Sequence, residues 1–191
     1  TVAPVNTPTA PGGTVTLNNV TITIPQGLAK DALTEMVSEV TDPNAAPWEM
    51  KPAHLEFTLT SYQLQDKFHK PKLFIYPAQE FAADSGATES IWRLQAILSN
   101  TAPLTAENLP FVPFFNAGQV FAAQMQTIQF QNGSGVRFLT EYAQSFATIN
   151  NHELFYHFQG LTDDGKYYII AILPATASIL AADEKPASPV P

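Results

Sequence analysis

The chain has 191 residues, a formal charge of −8, sixteen prolines, no cysteine and only 14% charged residues. Ordinary soluble domains carry about 25% charged residues, so polarity here comes from Thr, Gln, Asn and Ser instead. The acidity and the scattered basic residues argue against nucleic acid or an anionic membrane as main partner. The missing thiol excludes a cysteine nucleophile, a disulfide framework and Cys-ligated zinc, and no run approaches the roughly 18 apolar residues of a membrane-spanning helix.

Residues 1–13, TVAPVNTPTAPGG, carry no charge, and proline's fixed φ and missing donor keep such a stretch from packing. The last stretch, 181–191, ends in KPASPVP and reads the same way. The expectation is a single domain over 14–180 between two flexible tails. A chain that begins without Met, between Pro-rich tails, fits an extracytoplasmic domain, secreted or held by a lipidated Cys outside this sequence.

From Thr14 two alternating runs, with Val15 and Leu17, then Val20, Ile22 and Ile24, flank Asn18-Asn19, a pair suited to a tight hairpin. Residues 28–40 place Leu28, Ala32, Met36 and Val40 on one stripe and Asp31, Glu35 and Glu39 on another, which predicts a short amphipathic helix. Residues 54–60 alternate Leu55, Phe57 and Leu59 against His54, Glu56 and Thr58, a half-buried strand, and Lys72 to Tyr76 is a second. A brief helix over 78–83 precedes a longer one over 88–98, with Ile91, Leu94 and Leu98 on one face and Thr88 as its N-cap. LPFVPFF, broken by Pro110 and Pro113, reads as an irregular buried crossing.

Residues 119–131 are ambiguous at their start and alternate as a strand at QTIQFQ; Asn132-Gly133-Ser134-Gly135 is a turn signal. Three strands follow over 136–142, 153–161 and 166–173, the last two joined through Thr162-Asp163-Asp164-Gly165. Several are apolar on both faces and so are covered on both sides. The expected class is α+β: an antiparallel sheet ending in a C-terminal meander, with helices packed on its faces.

The stretches GVRFLTEYAQ and INNHELFYHFQGLTDDGKYYIIAILP resemble a family of uncharacterised bacterial secreted proteins and lipoproteins. PAHLEFTL, IYPAQEF and LPFVPFFNAGQVFAAQ are similar to the same family, so the likeness runs from about Pro52 to Leu173. It implies export and a single domain and brings no catalytic or ligand motif. A weaker likeness of topology, from the TITIPQGL hairpin to YYIIAIL, is to the PsbP/Mog1-like α/β/α sandwich, whose members mostly bind or assemble.

No HExxH or HxH spacing joins the four histidines, and Asp163-Asp164-Gly165 lacks the alternating ligands of a calcium loop, so neither a metal site nor a cofactor is nominated. Lys67, His69, Lys70 and Lys72 form a basic cluster that reads as a solvated loop or an anion contact. The C-terminal meander offers Arg137, Glu141 and His157, which meet on one face if the strand register allows, with His152 in the loop beside them. These four are the candidate ligand-binding residues. Phe111, Phe114 and Phe115 are the candidate contacts of an interaction surface.

Two functions fit. One is a non-catalytic module that binds a protein or a small molecule, touching a membrane only through an anchor outside the chain. The other is an exported hydrolase with His157 or His152 as base beside Glu141 or Glu153; no G-x-S-x-G elbow supplies its nucleophile.

Overall fold

The computed structural model describes residues 11–42, 44–46, 49–82, 85–110, 115–145 and 147–184. The fold is β-rich and mostly antiparallel, with two small helices. The first two strands, β1 (Pro11–Leu17) and β2 (Val20–Pro25), form a separate hairpin. The main sheet has seven strands in the order β3-β4-β5-β9-β8-β7-β6. They are β3 (Asp31–Val37), β4 (His54–Thr60), β5 (Lys72–Pro77), β6 (Gly118–Phe130), β7 (Gly133–Ala143), β8 (Phe155–Thr162) and β9 (Tyr167–Pro174). Helices α1 (Ala78–Phe81) and α2 (Ser85–Leu98) lie between β5 and β6. That connection carries the chain to the far edge of the sheet. The meander β6 to β9 then returns and lays β9 beside β5.

The hairpin turns where the sequence places it, with Leu17 opposite Val20 and Asn18 at φ 53°. This left-handed conformation crowds any Cβ, but an Asn side chain tolerates it. Asn18→Ala is therefore expected to lower stability by about 1 kcal/mol in urea unfolding. A cost indistinguishable from zero would show that the turn relaxes.

The helix expected over 28–40 does not form; its centre is β3, paired with β4 from Asp31–Thr60 to Val37–His54. Thr34 and Val37 suit a strand, and the backbone edge of β4 offers a full ladder that a lone helical turn cannot match. The strand lies at the sheet edge with Leu33 and Met36 exposed, so neither face carries a clean alternation. Asp31 and Glu35 charge that edge, a common guard against further strand pairing.

The turn read at 132–135 is shorter than expected, because Phe130 already pairs with Gly133 and only Gln131 and Asn132 lie between. Gly133 and Gly135 belong to β7, where a Cβ would meet backbone oxygens and phenylalanine rings. The ambiguous segment before the turn is strand throughout, interrupted between Ala123 and Gln126 where Gln124 takes φ 51°. Thr88 is not a cap, since α2 starts at Ser85; its hydroxyl donates to the Ala82 carbonyl at 2.6 Å.

Side chains alternate across the sheet. Ile91, Leu94 and Ile97 of α2 share a buried cluster with Phe81 of α1, Tyr76 of β5, Val136 and Phe138 of β7, and Tyr168 and Ile170 of β9. Gln159 of β8, fully buried, donates to the Pro110 carbonyl at 2.9 Å and accepts from the Tyr168 hydroxyl, which ties the crossing segment to the sheet. A second cluster joins Ile24 of the hairpin to Leu59 and Tyr62. Tyr62 also donates to the Pro174 carbonyl at 2.8 Å.

Candidate functional site

The register decides which candidate residues meet. Arg137 is opposite Phe158 and His157 is opposite Phe138, so alternation puts Arg137 and Glu141 on one face and His157 on the other. The group Arg137, Glu141 and His157 is therefore not assembled. Arg137 donates to Gln126 Oε1 at 2.9 Å, and its guanidinium lies 4.8 Å from the Tyr156 ring centroid. His157 is fully buried between Phe138 and Phe155. Phe111 and Phe114 lie outside the described residues.

Of the candidates, Phe115 enters the wall of a pocket at the end of the sheet where β7 leaves and β8 enters, whereas Glu141 and His152 do not line it. The pocket, of about 530 Å³, is lined by Phe68, His69, Phe115, Tyr142, Glu153 and Glu184 among others. Its wall is aromatic: Phe115 stacks nearly parallel to His69 (centroids 5.8 Å, 8°) and meets Tyr142 edge-on at 5.3 Å. Phe155 meets His69 at 4.5 Å behind them. Phe68 is exposed at the mouth, and His152 approaches it edge-on at 6.2 Å while its Nδ1 holds the Asp66 carbonyl at 3.0 Å.

The other side of the pocket is acidic. Glu153 and Glu184 line it, and Glu141, buried to 1% exposure on the face of β7 opposite to that of Tyr142, accepts from the Asn150 N–H at 3.0 Å. Burial pushes its carboxyl above the ordinary range, that hydrogen bond opposes the shift, and the charges of Glu153 and Glu184 add to it. Glu153 is raised by burial and by Glu184, with His152 acting the other way. Among the described residues none of these three carboxylates forms an ion pair. A partly desolvated carboxylate without an ion-pair partner, as at Glu153, favours protonation or a bound cation.

Two histidines, His69 in the wall of this pocket and His157 in the core, are uncharged groups. Burial pulls His69 down to about 4, with a further push from His152, and pulls His157 down to about 3, with a further push from His69. His69 Nε2 and both nitrogens of His157 have no hydrogen-bond partner among the described residues.

A polar cluster also forms where the sequence predicts a solvent face. His54 and Glu56 of β4 are both buried. Glu56 faces His54 Nε2 at 3.2 Å and pairs with Lys72 of β5, while His54 Nδ1 contacts the Pro52 carbonyl at 2.9 Å and its ring stacks on Tyr76 at 4.5 Å. Burial raises the Glu56 carboxyl, but Lys72 and His54 outweigh it and leave it below the ordinary range. Every polar atom in this cluster is matched, which is how a structural ion pair looks. The opposite charges at Glu56 and Lys72, on strands that pair, were the signal that could have found it. The basic cluster read at 67–72 is thereby divided: Lys67 donates to the Asn151 carbonyl, His69 enters the aromatic wall and Lys72 pairs with Glu56.

No protein-family model, curated protein or solved structure matches this chain. The site is read from its own chemistry. Rings that present negative faces, beside carboxylates without partners, suit a positively charged organic group. Among the described residues no three His or carboxylate side chains are placed to hold a metal ion.

Proposed function

We propose that the chain is an extracytoplasmic, non-catalytic binding module that takes an organic cation in the pocket between the Phe115–His69 wall and Glu153–Glu184. The observation that carries this reading is the presence of Glu153 and Glu184, unpaired among the described residues, in one pocket with the stacked rings. A quaternary or primary ammonium with an apolar stem satisfies both halves of the pocket at once. Export belongs to the same proposal, supported by the low charge, the absent cysteine and the likeness to secreted bacterial proteins and lipoproteins. The finer fold reading, a PsbP-like sandwich, rests on the helices that share a buried cluster with one side of the sheet.

The hydrolase alternative has less support. Ser145 and His69 line the same pocket, but His69 Nε2 has no hydrogen-bond partner among the described residues. Calorimetric titration with choline and with its uncharged isostere dimethylbutanol tests the binding reading. Choline is expected to bind more tightly, and Glu153→Gln with Glu184→Gln to weaken it about tenfold, roughly 1.4 kcal/mol. Equal binding of both compounds, or none of either, would sink it.

A further inference from the structure

A second cavity lies on the opposite part of the molecule, where the β1–β2 hairpin stands over the sheet. It measures about 460 Å³, within the range of about 300–1,000 Å³ usual for small-molecule sites. Leu73 and Ile75 of β5, Ile169 of β9 and Phe158 of β8 form its floor, and Ile22 of the hairpin and Phe130 of β6 its walls. The hairpin is not hydrogen-bonded into the main sheet as a strand, and Asn19 Nδ2 latches its tip by donating to the Tyr167 hydroxyl at 2.9 Å.

Three glycines keep this space open. A Cβ on Gly133 would come within 2.4 Å of the Phe130 ring, and one on Gly135 or Gly160 within 2.6 Å of the Phe158 ring. Because these positions have no side chain, both rings lie down against the strands, 6.0 Å apart and edge-to-face, instead of standing across the cleft.

We propose that this cleft binds an uncharged small molecule with a mainly apolar body and one hydrogen-bonding end. None of the lining side chains is charged, although the chain carries a net −8. A charged ligand would lose its hydration there and find no counter-charge. Leu73, Ile75, Phe158 and Ile169 give an alkyl or ring body a continuous apolar surface to lie on. The polar end has partners at the rim. Tyr167 accepts from Asn19 and so keeps its own proton to donate, and the Gln131 and Asn132 amides line the cleft without a side-chain hydrogen bond among the described residues.

The test uses the full chain and the neutral dye Nile red, displaced by decanol, decanoate or maltose. One dye per chain is expected, released by decanol at concentrations at least tenfold below those of decanoate, and not by maltose. Ile169→Asp, which puts a charge on the floor, and Thr23→Trp, which fills the cleft from an exposed hairpin position, should each weaken dye binding at least tenfold with an unchanged far-ultraviolet circular dichroism spectrum. The proposal is overturned if the parent chain does not bind the dye, if decanoate competes as well as decanol, if maltose displaces the dye, or if both folded variants bind normally. The choline titration is independent of each of these outcomes.

Discussion

Lowering the pH from about 7 to about 5 is expected to remove about 4 kcal/mol of folding stability through His69 and His157. Both are held below the ordinary value of 6.5, His69 at about 4 and His157 at about 3. Below about pH 6.5 the unfolded chain takes up protons that the folded chain refuses. Stability is complete above that pH and falls by about 1.4 kcal/mol per unit for each histidine until its folded value is reached. Carboxylates modify the curve. Glu141 and Glu153 are raised, so their cost to the fold is relieved as the pH falls, whereas Glu56 is lowered and its contribution is lost below about 4.5. Comparison with a variant separates these effects. His157→Leu replaces a buried ring whose nitrogens have no partner among the described residues, so it should stabilise the protein at neutral pH and remove about half of the histidine slope. Urea unfolding at both pH values measures this, and identical slopes for parent and variant would refute it.

Gly135→Ala is expected to cost about 3 kcal/mol, at the upper end for a single added methyl. Its Cβ would lie 2.3 Å from the Gln159 carbonyl oxygen and 2.6 Å from the Phe158 ring. A ring can swing aside. The carbonyl belongs to the ladder between β7 and β8, where Gly135 pairs with Gly160, and it can move only if the strands separate. Gly118→Ala is the control, because its nearest neighbour, the Ala143 oxygen, is at an ordinary 3.9 Å. A thermal melt should show a clear loss for the first variant and almost none for the second. Equal melting temperatures would mean that the strands part more easily than their pairing suggests.

Much of this architecture was legible in the chain because its alternation is strong. The limits of β4, the hairpin at Asn18-Asn19, the apolar stripe of α2 and the three strands after residue 133 all follow from period and turn chemistry. β3 is hidden in the sequence because Leu28, Ala32 and Met36 also fit a helical stripe, and an edge strand exposed on both faces loses its period of two. Strand order was beyond reach, because nothing local tells β5 to pair with β9. The candidate site divided for the same reason. Phe115 enters a pocket with His69 and Glu184, one in a basic stretch and the other beside the C-terminal tail, and only the tertiary fold brings them together. Register, which sequence does not report, separates Arg137 from His157.

The strand order divides the sheet into unequal kinds of pairing. β6 to β9 pair with their neighbours in sequence, as do β3 to β5, and those contacts close far smaller loops than a pairing across the chain. The seam between β5 and β9 is different: Tyr76 pairs with Tyr168 from almost half the chain away. Loop-closure entropy must be met in full before that seam returns any burial, whereas each meander is rewarded as it grows. The aromatic stack of Tyr76, Phe81 and Tyr168 lies on this seam. An aromatic fastening thus sits on the strand pairing most distant in sequence, and it is what makes two locally built sheets into one.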